Sequence, residues 1–267
     1  MDEGGESGKG QPLVTGLLRG LQVLRCFDVH RQLLGSSDIA RMTGLPQPTV
    51  WRLCRTLVHG GYLVEDQATS RFRPGLSILA LGYAALDTLE LAELAMPLLK
   101  EVALQFRGGA SLSTREGTSM LYLQRFEAPN SVLNVNVRVG SEVPIVTSGT
   151  GWAYLAGVDS QERAAALRAC KRADARQYAL HEAGIQGALD EYAAHGFISN
   201  VDVFFPGLAT VAVPLIVPEA AHPYVLNCTT PTALLKDPQT RAECGAALKA
   251  LAVQLRPIVQ RGSRPAL

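Results

Sequence analysis

The chain has 267 residues, 47% of them apolar, with 25 Lys and Arg against 24 Asp and Glu and a formal charge of +1. That length exceeds a typical single domain of roughly 100–200 residues, so two domains are expected, each with enough apolar content for a core. No run of about eighteen apolar residues occurs, which excludes a helical membrane span.

Five cysteines, Cys26, Cys54, Cys170, Cys228 and Cys244, form no CxxC pair. Scattered in this way they point to a reducing compartment and buried thiols rather than a disulfide framework. The first twelve residues, MDEGGESGKGQP, are polar, acidic and glycine-rich, the opposite of a signal peptide. A disordered leader over 1–12 and a cytoplasmic location are expected.

The near-zero net charge hides an asymmetry. Between Leu13 and Gly75 there are eight arginines against Asp28, Asp38, Glu65 and Asp66, so this segment is near +4. No acidic residue lies between Asp38 and Glu65, whereas Arg41, Arg52 and Arg55 do. A locally basic surface follows, of the kind that meets nucleic acid, although a solvated charged face has the same composition.

In chain order, Leu17, Leu21, Leu24 and Phe27 recur at helical spacing over Gly16–Phe27 and predict one buried helix face. Ser37 as N-cap, Ile39 and Met42 three apart, and Gly44 as the stop predict a second, short helix. Pro46 or Pro48 suits the first turn of a third, where a missing N–H costs nothing, and Val50, Leu53, Cys54 and Leu57 supply its apolar stripe. Thr49, Arg52 and Thr56 lie away from that stripe. Gly60-Gly61 ends the helix, and Tyr62–Glu65, a turn over Asp66–Ser70, and Arg71-Phe72-Arg73 read as a hairpin with both arginines on one face. Two short helices, the second presenting an arginine opposite its core face, followed by a two-stranded wing, make a winged helix-turn-helix over 13–75.

Leu76, Leu79, Tyr83 and Leu86 then mark a linker helix over 76–92 whose apolar face suits a dimer contact, and Leu91–Phe106 continues the helical pattern with an interruption at Pro97. From Ala110 the period becomes two. Ser111–Thr114 and Met120–Gln124 flank the turn REGTS, and Leu133, Val135, Val137 and Val139 alternate with polar residues. Helices are predicted at Gly151–Ala156, at Gln161–Ala169 and around Ile185, Leu189 and Tyr192. Three strands follow in FISNV, LATVAVPLIV and YVLNCTT, and a last helix carries Leu248, Leu251, Leu255 and Ile258. The mixture gives an α+β domain over 93–260 built on an antiparallel sheet.

The stretches SSDIARMTGLPQPTVWRLCRTLVHGGYL, SRFRPGLSILALGYAAL, MLYLQRFEAP, RVGSEVPIVTSGTGWAYLA, HGFISNVDVFFPGLATVAVPL and YVLNCTTP resemble, in order and spacing, the bacterial IclR-type transcriptional regulators, named after the isocitrate lyase regulator. The resemblance runs from about Leu13 to Val259. It implies a winged helix-turn-helix joined to a GAF-like, profilin-like sensor domain. It also implies homodimers or dimers of dimers on palindromic double-stranded operator DNA, controlled by a small organic acid or aromatic catabolite.

For DNA, Arg52 is positioned to read a base edge, where a bidentate arginine–guanine contact gives about 1–3 kcal/mol of discrimination. Gln47, Pro48 and Thr49 sit in the first turn, where recognition helices meet bases or phosphates. Arg71 and Arg73 in the wing suit phosphates or the minor groove. Ser37 offers a helix start to a phosphate or is a plain cap, Arg55 is either a contact or an ion-paired surface side chain, and Trp51 meets backbone or packs on the linker.

For the effector, the resemblance places the ligand against a glycine-rich helix start, here Ser148, Gly149 and Thr150, and against Asn200, Thr210, Asn227 and Thr229 on later strands. The family commonly has an acidic residue at the position of Asn200, a cysteine at that of Thr210 and a serine at that of Asn227, while Asp202 keeps an acidic group in the loop. The lining is therefore expected to be neutral, amide and hydroxyl, reading a ligand by hydrogen bonds. Phe126, Trp152, Phe204 and Phe205 either cover a ring or belong to core and interface.

TSGTG lacks the lysine of a phosphate-binding loop and is not a G-x-S-x-G elbow. The five histidines lie far apart, none at metal-ligand spacing, so no catalytic residue, metal or cofactor is expected. The alternative to a ligand-controlled regulator is a DNA-binding scaffold whose second domain holds protein partners.

Overall fold

The computed structural model describes residues 13–28, 31–87, 90–129, 131, 137–217 and 223–262, without the side chains of 83–87, 90, 261 and 262. The expected leader over 1–12 lies outside the described residues. The chain divides into two compact units, Met1–Ala85 and Leu86–Leu267.

The first unit contains α1 (Thr15–Leu24), α2 (Ser36–Thr43), α3 (Gln47–His59) and a hairpin of β1 (Leu63–Asp66) and β2 (Arg71–Pro74). The stripe of α3 buries Val50 and Cys54 against Val23, Ile39, Leu63 and Phe72. Full burial of a large apolar side chain is worth about 1.5–3 kcal/mol, so Ile39 and Phe72 at the centre of this cluster fasten helices and hairpin together. Pro48 lies in the first turn of α3, and Gly44 ends α2 in the left-handed conformation at φ 71°, which glycine adopts without steric cost.

Two expectations for this unit are corrected. The inward side of α1 is centred on Gly20 and Val23, while Leu17 and Leu21 are 64% and 49% exposed. This helix carries apolar residues nearly all round, at Leu17, Leu18, Leu21, Val23 and Leu24, so its periodicity could not select the docked side. Ser37 is not the cap of α2. Gly35 is, and the Asp38 carboxylate reaches back to accept from the Gly35 N–H at 3.1 Å.

The wing pairs Arg71 with Asp66 and Arg73 with Val64, leaving both arginines exposed on either side of buried Phe72. Phe72 also exchanges backbone hydrogen bonds with Leu34 at 3.0 and 2.8 Å, which ties the hairpin to the segment before α2. Where β2 leaves the wing, Gly75 donates to the Tyr62 carbonyl at 2.9 Å. A Cβ on Gly75 would stand 2.1 Å from the Gly61 carbonyl oxygen, so two backbones cross there with no room for a side chain.

Helix α4 (Leu76–Asp87) contains the division between the units, and α5 (Glu90–Gln105) opens the second. The expected linker over 76–92 spans α4 and the first residues of α5. Leu76 and Leu79 are exposed, and the side chains of Tyr83 and Leu86 lie outside the described residues. Pro97 does not interrupt α5: the helix runs through it, held by buried Ala95, Leu99, Val102 and Ala103.

The second unit is built on β3 (Gly109–Glu116), β4 (Ser119–Glu127), β5 (Glu142–Pro144), β6 (Ile198–Val201), β7 (Leu208–Leu215) and β8 (Tyr224–Pro231). They form one antiparallel sheet in the order β5-β4-β3-β8-β7-β6. One face, carrying Leu112, Val211 and Leu226, packs on α5 and α9 (Pro238–Gly262). The other, carrying Met120, Ile198 and Val225, packs on α6 (Gly149–Gly157) and α8 (Ala175–His195), with α7 (Ser160–Ala173) between them in sequence. This is the expected α+β arrangement. Of the strand expected over Leu133–Val139, residues 132–136 lie outside the described residues, and Val137–Val139 form no strand.

Candidate functional site

On the α6 side of the sheet, strand register lines up polar residues in two adjacent rows. Asn200 faces Thr210, Thr210 faces Thr229, and Thr229 faces Gly109. One step along, Ala212 faces Asn227, Asn227 faces Ser111, and Ser111 faces Arg125. Because alternate residues of a strand share a face, the complementary positions Ala110, Leu112, Val211 and Cys228 fill the opposite core.

Against these rows comes the start of α6. Ser148 caps it, accepting from the Gly151 N–H at 3.1 Å and donating to the Pro144 carbonyl at 2.7 Å. Such a cap contributes about 0.5–2 kcal/mol. Gly149 is required by proximity, since a Cβ there would lie 2.8 Å from the Thr210 methyl carbon, and a Cβ on Gly151 would meet the Ile145 carbonyl at 2.2 Å. Asn200 donates to the Thr147 carbonyl at 3.2 Å and so fastens β6 to the loop before α6.

Between helix start and sheet lies a cavity of about 20 Å3. Six of the eight sequence-derived effector residues line it: Ser148, Gly149, Thr150, Asn200, Thr210 and Thr229. The Thr210 and Thr229 hydroxyls share a hydrogen bond at 2.8 Å. Asn227 is fully buried in the next row and donates to Thr229 Oγ1 at 3.2 Å, while its Oδ1 has no hydrogen-bond partner among the described residues. Asp202 is elsewhere. At φ 57° it accepts from the Gly207 N–H at 2.7 Å and from Thr232 Oγ1 at 2.9 Å, holding the β6–β7 turn.

The lining is not neutral as expected. Arg125 and Tyr122 join it from β4, together with Phe204. The Arg125 side chain is 7% exposed, donating from Nη1 to Ser111 Oγ at 3.1 Å and from Nη2 to Glu127 Oε2 at 3.1 Å, while its Nε is buried with no hydrogen-bond partner among the described residues. Burial pushes the Tyr122 phenol pKa up, and nearby Arg125 and the Thr150 hydroxyl oppose that shift less strongly. Of the aromatics considered, Phe204 lines the cavity, Trp152 is core with Nε1 donating to the Val146 carbonyl at 2.8 Å, Phe126 packs on the opposite face, and Phe205 is exposed.

A bulge hides Arg125 from simple strand alternation. Leu112 pairs with Gln124 but Ser113 pairs with Tyr122, so Leu123 is the extra residue. Past it the phase reverses: Leu123 belongs to the α5 and α9 core and Gln124 donates to the Ala92 carbonyl of α5, so Arg125 swings to the side of Met120 and Tyr122. A lone arginine in the apolar run MLYLQRFE was the signal available in the sequence.

In the first unit, α3 exposes Gln47, Pro48, Arg52 and Arg55, with Thr49 half-buried. Arg55 is bound at home, Nη1 lying 2.6 Å from Glu65 Oε2 and the guanidinium over the Trp51 ring at 5.8 Å. Trp51 remains half exposed. Arg71 is anchored as well, donating to the Leu33 carbonyl at 3.2 Å and lying 3.5 Å from Asp38 Oδ2, which also pairs through Oδ1 with Arg41. Gln47 donates to Ser36 Oγ at 3.3 Å, and Ser37 is exposed. Among the described residues, Arg52 and Arg73, like Arg19 on α1, have no carboxylate within ion-pairing distance, so α3 and the wing each present one arginine without an ion pair.

Comparison with known proteins agrees with both halves. Residues 16–67 match the IclR helix-turn-helix domain, and residues 83–256 match the C-terminal domain of bacterial IclR transcriptional regulators. The HTH-type transcriptional regulator TsaQ1/TsaQ2 of Comamonas testosteroni is 29% identical over 261 residues, covering 97% of this chain and 92% of that one. The crystal structure of an IclR family regulator from Brucella abortus superposes with a TM-score of 0.85 at 31% identity, covering 96% of this chain and 97% of the other. An IclR homologue from Microbacterium hydrocarbonoxydans, solved in complex with 4-hydroxybenzoate, shares the fold with a TM-score of 0.71 at 22% identity, over 92% and 99% of the two chains. With matches to both domains over most of its length, the chain belongs to the IclR family of bacterial transcriptional regulators, DNA-binding proteins rather than enzymes.

Proposed function

We propose that this regulator binds operator DNA in a sequence-specific manner and that a small organic acid or aromatic catabolite in the second unit controls the binding. The observation that carries the effector half is the cavity between the α6 start and the polar rows of the sheet. The Microbacterium relative, which holds 4-hydroxybenzoate, supports an aromatic acid as one class of ligand. In this reading residues 13–75 read DNA, 76–92 link, and 93–260 sense. Arg52 reads base edges from the exposed side of α3, Gln47, Pro48, Thr49 and Ser37 approach the backbone, and Arg73, with Arg71 behind it, holds the wing to phosphates.

The exposed apolar side chains Leu76, Leu79 and Leu81 of α4, and Leu17, Leu18 and Leu21 of α1, support pairing with a second copy of the chain. A homodimer, or a dimer of dimers, then presents two α3 helices to the half-sites of a palindrome. Effector binding changes the dimer geometry, which requires tighter binding to one geometry than to another. The setting is cytoplasmic, supported by five free cysteines; among the described residues no helix is long and apolar enough to cross a membrane.

Fluorescence anisotropy with the DNA upstream of the gene, across a salt series and with candidate acids, tests this reading. Tight, salt-sensitive binding that an acid changes supports it; operator affinity constant under a saturating, independently verified ligand refutes the control mechanism. The cavity's size favours a second reading, in which the second unit holds protein partners. About 20 Å3 admits a single water and no carbon skeleton unless the walls move. Failure of every acid to bind, together with a protein captured by the second unit, would select that reading.

A further inference from the structure

We propose that Arg125 is the carboxylate-reading residue of this cavity: the carboxylate of an incoming organic acid displaces Glu127 from the guanidinium and takes its place. The inference rests on the ligand-controlled reading above and adds which side chain selects the ligand's charge.

Arg125 lines the cavity while its side chain is 7% exposed, so it is a nearly fully buried cation at the wall of this cavity. A buried guanidinium is retained only where its donors are used. Its Nε has no hydrogen-bond partner among the described residues, whereas Nη1 is held by Ser111 and Nη2 by Glu127. Nε–H and Nη2–H form the side-on fork of an arginine, the edge that accepts both oxygens of one carboxylate in parallel hydrogen bonds. That edge is half used here, since Glu127 accepts from Nη2 and not from Nε.

Glu127 is the displaceable partner. It is 36% exposed at the end of β4, so its carboxylate can return to water at little cost; for a ligand carboxylate to meet both fork donors, the cavity wall must open onto the buried Nε. Gly109 clears the seat, because a Cβ there would lie 2.3 Å from Arg125 Nη2. The opposite wall is the start of α6, with the Ser148 and Thr150 hydroxyls and a helix N-terminus that favours negative or electron-rich groups. The chemical class selected is a small organic acid with one carboxylate on Arg125 and a second oxygen, hydroxyl or carbonyl, turned to the α6 start. Among the described residues, the carboxylate within ion-pairing distance of this guanidinium is that of Glu127, so exchange replaces one ion pair by a better-formed one without burying an extra charge.

Calorimetric titration of the full chain with acetate, succinate, benzoate and 4-hydroxybenzoate, and with the primary amide of each, tests this. At least one acid is expected to bind, with its amide about tenfold weaker or worse, since the amide offers no charge to the guanidinium. Arg125→Gln is expected to weaken that acid about thirty-fold or more while leaving the amide nearly unchanged. Glu127→Gln, which removes the competing carboxylate, is expected to tighten the acid by about two- to five-fold, an effect that a merely structural Arg125 would not produce. Because Glu127→Gln alters a partly exposed side chain, it decides the matter even where Arg125→Gln fails to fold. Acids and amides binding alike, no acid binding at all, or an acid affinity that Glu127→Gln leaves unchanged or weakens would each overturn the assignment. Anisotropy with operator DNA, run in parallel, separates the two levels. DNA binding released by a neutral compound would overturn the Arg125 role and leave the regulator standing, whereas absence of DNA binding would refute the regulator whatever the acids do.

Discussion

Gly109 lies beneath the guanidinium of Arg125, so close that a Cβ on the glycine would stand 2.3 Å from Nη2 and 2.7 Å from Cζ. The contact joins β3 to β4 at a position where the sheet gives up a side chain to admit a buried cation. Gly109→Ala should therefore push the guanidinium off its seat and loosen its hold on Ser111. Overpacking of this kind costs about 1–3 kcal/mol, so the melting temperature of the second unit should fall by several degrees. Affinity for any bound acid should fall with it, whereas Gly117→Ala in the β3–β4 turn should leave acid binding untouched. Scanning calorimetry and the acid titration read both effects; a Gly109→Ala protein that binds acid as the wild type does would show that Arg125 has another place to go.

The arginines of the first unit should separate into three kinds. Arg52→Ala should relax sequence preference with a loss of about 1–3 kcal/mol on the best site and little on random DNA. Arg73→Ala should weaken all sequences alike and reduce the salt slope by about one. Arg55→Ala, freed from Glu65 across a partly exposed pair, should cost about 0.2–1 kcal/mol of stability and leave base preference unchanged. Anisotropy on specific and scrambled duplexes at several salt concentrations distinguishes them. Equal losses for Arg52→Ala and Arg73→Ala on scrambled DNA would mean that α3 does not enter the groove as proposed.

Ser148→Ala removes the cap of α6 and the hydroxyl that links Pro144 to the helix start. A stability loss of about 1 kcal/mol is expected, measurable by urea unfolding, with Ser148→Asp recovering most of it because a carboxylate caps equally well. In the cavity the two replacements should diverge, since Ser148→Asp places a negative charge on the wall opposite Arg125. It should weaken acids more than Ser148→Ala does. If both replacements affect acids equally, the α6 start does not face the ligand.

Burial pushes the Cys54 thiol, at the heart of the first unit, up to about 12. A thiol whose folded pKa lies above its unfolded value keeps its proton in the native state, so its contribution to stability is complete below about pH 8.5 and is lost as pH rises toward 12. The first unit should accordingly lose stability more steeply between these limits than Cys54→Ala does, even though the alanine variant starts lower because of the cavity it leaves. Alkylation of Cys54 in the folded protein should also be slow, since the thiolate is the reactive form. Rapid modification at neutral pH without unfolding would show that the helix stripe opens readily.

Much of this architecture is written in local patterns. The stripe Val50, Leu53, Cys54 and Leu57 located α3, and the glycines after it located the wing, because short helices and tight turns are decided by nearest neighbours. Thr210, Asn227 and Thr229, which the strand register puts on one side of the sheet, were singled out by the family resemblance rather than by alternation. Where the pattern was degenerate the reading failed: α1 is apolar nearly all round, so Leu17 and Leu21 were assigned to the wrong side. Ser37 lost the capping role to Gly35 because Asp38, three positions after that glycine, closes the box from the other end. Arg125 was missed for a different reason. A bulge is a register event between two strands, and nothing in residues 119–127 alone announces that Leu123 will be the extra one.

The crossing of Gly61 and Gly75 has a consequence for how this family could diversify. The base of the wing is closed by main chain against main chain, with the buried Leu63 and Phe72 side chains anchoring its two strands in the core. The ten residues from Val64 to Arg73 hang from that clasp, together with the Phe72 and Leu34 ladder. Their tips can be rewritten, longer or shorter, more basic or less, while the two glycines and the phenylalanine keep the path into α4 the same. The wing is in that sense a replaceable fitting on a fixed mount.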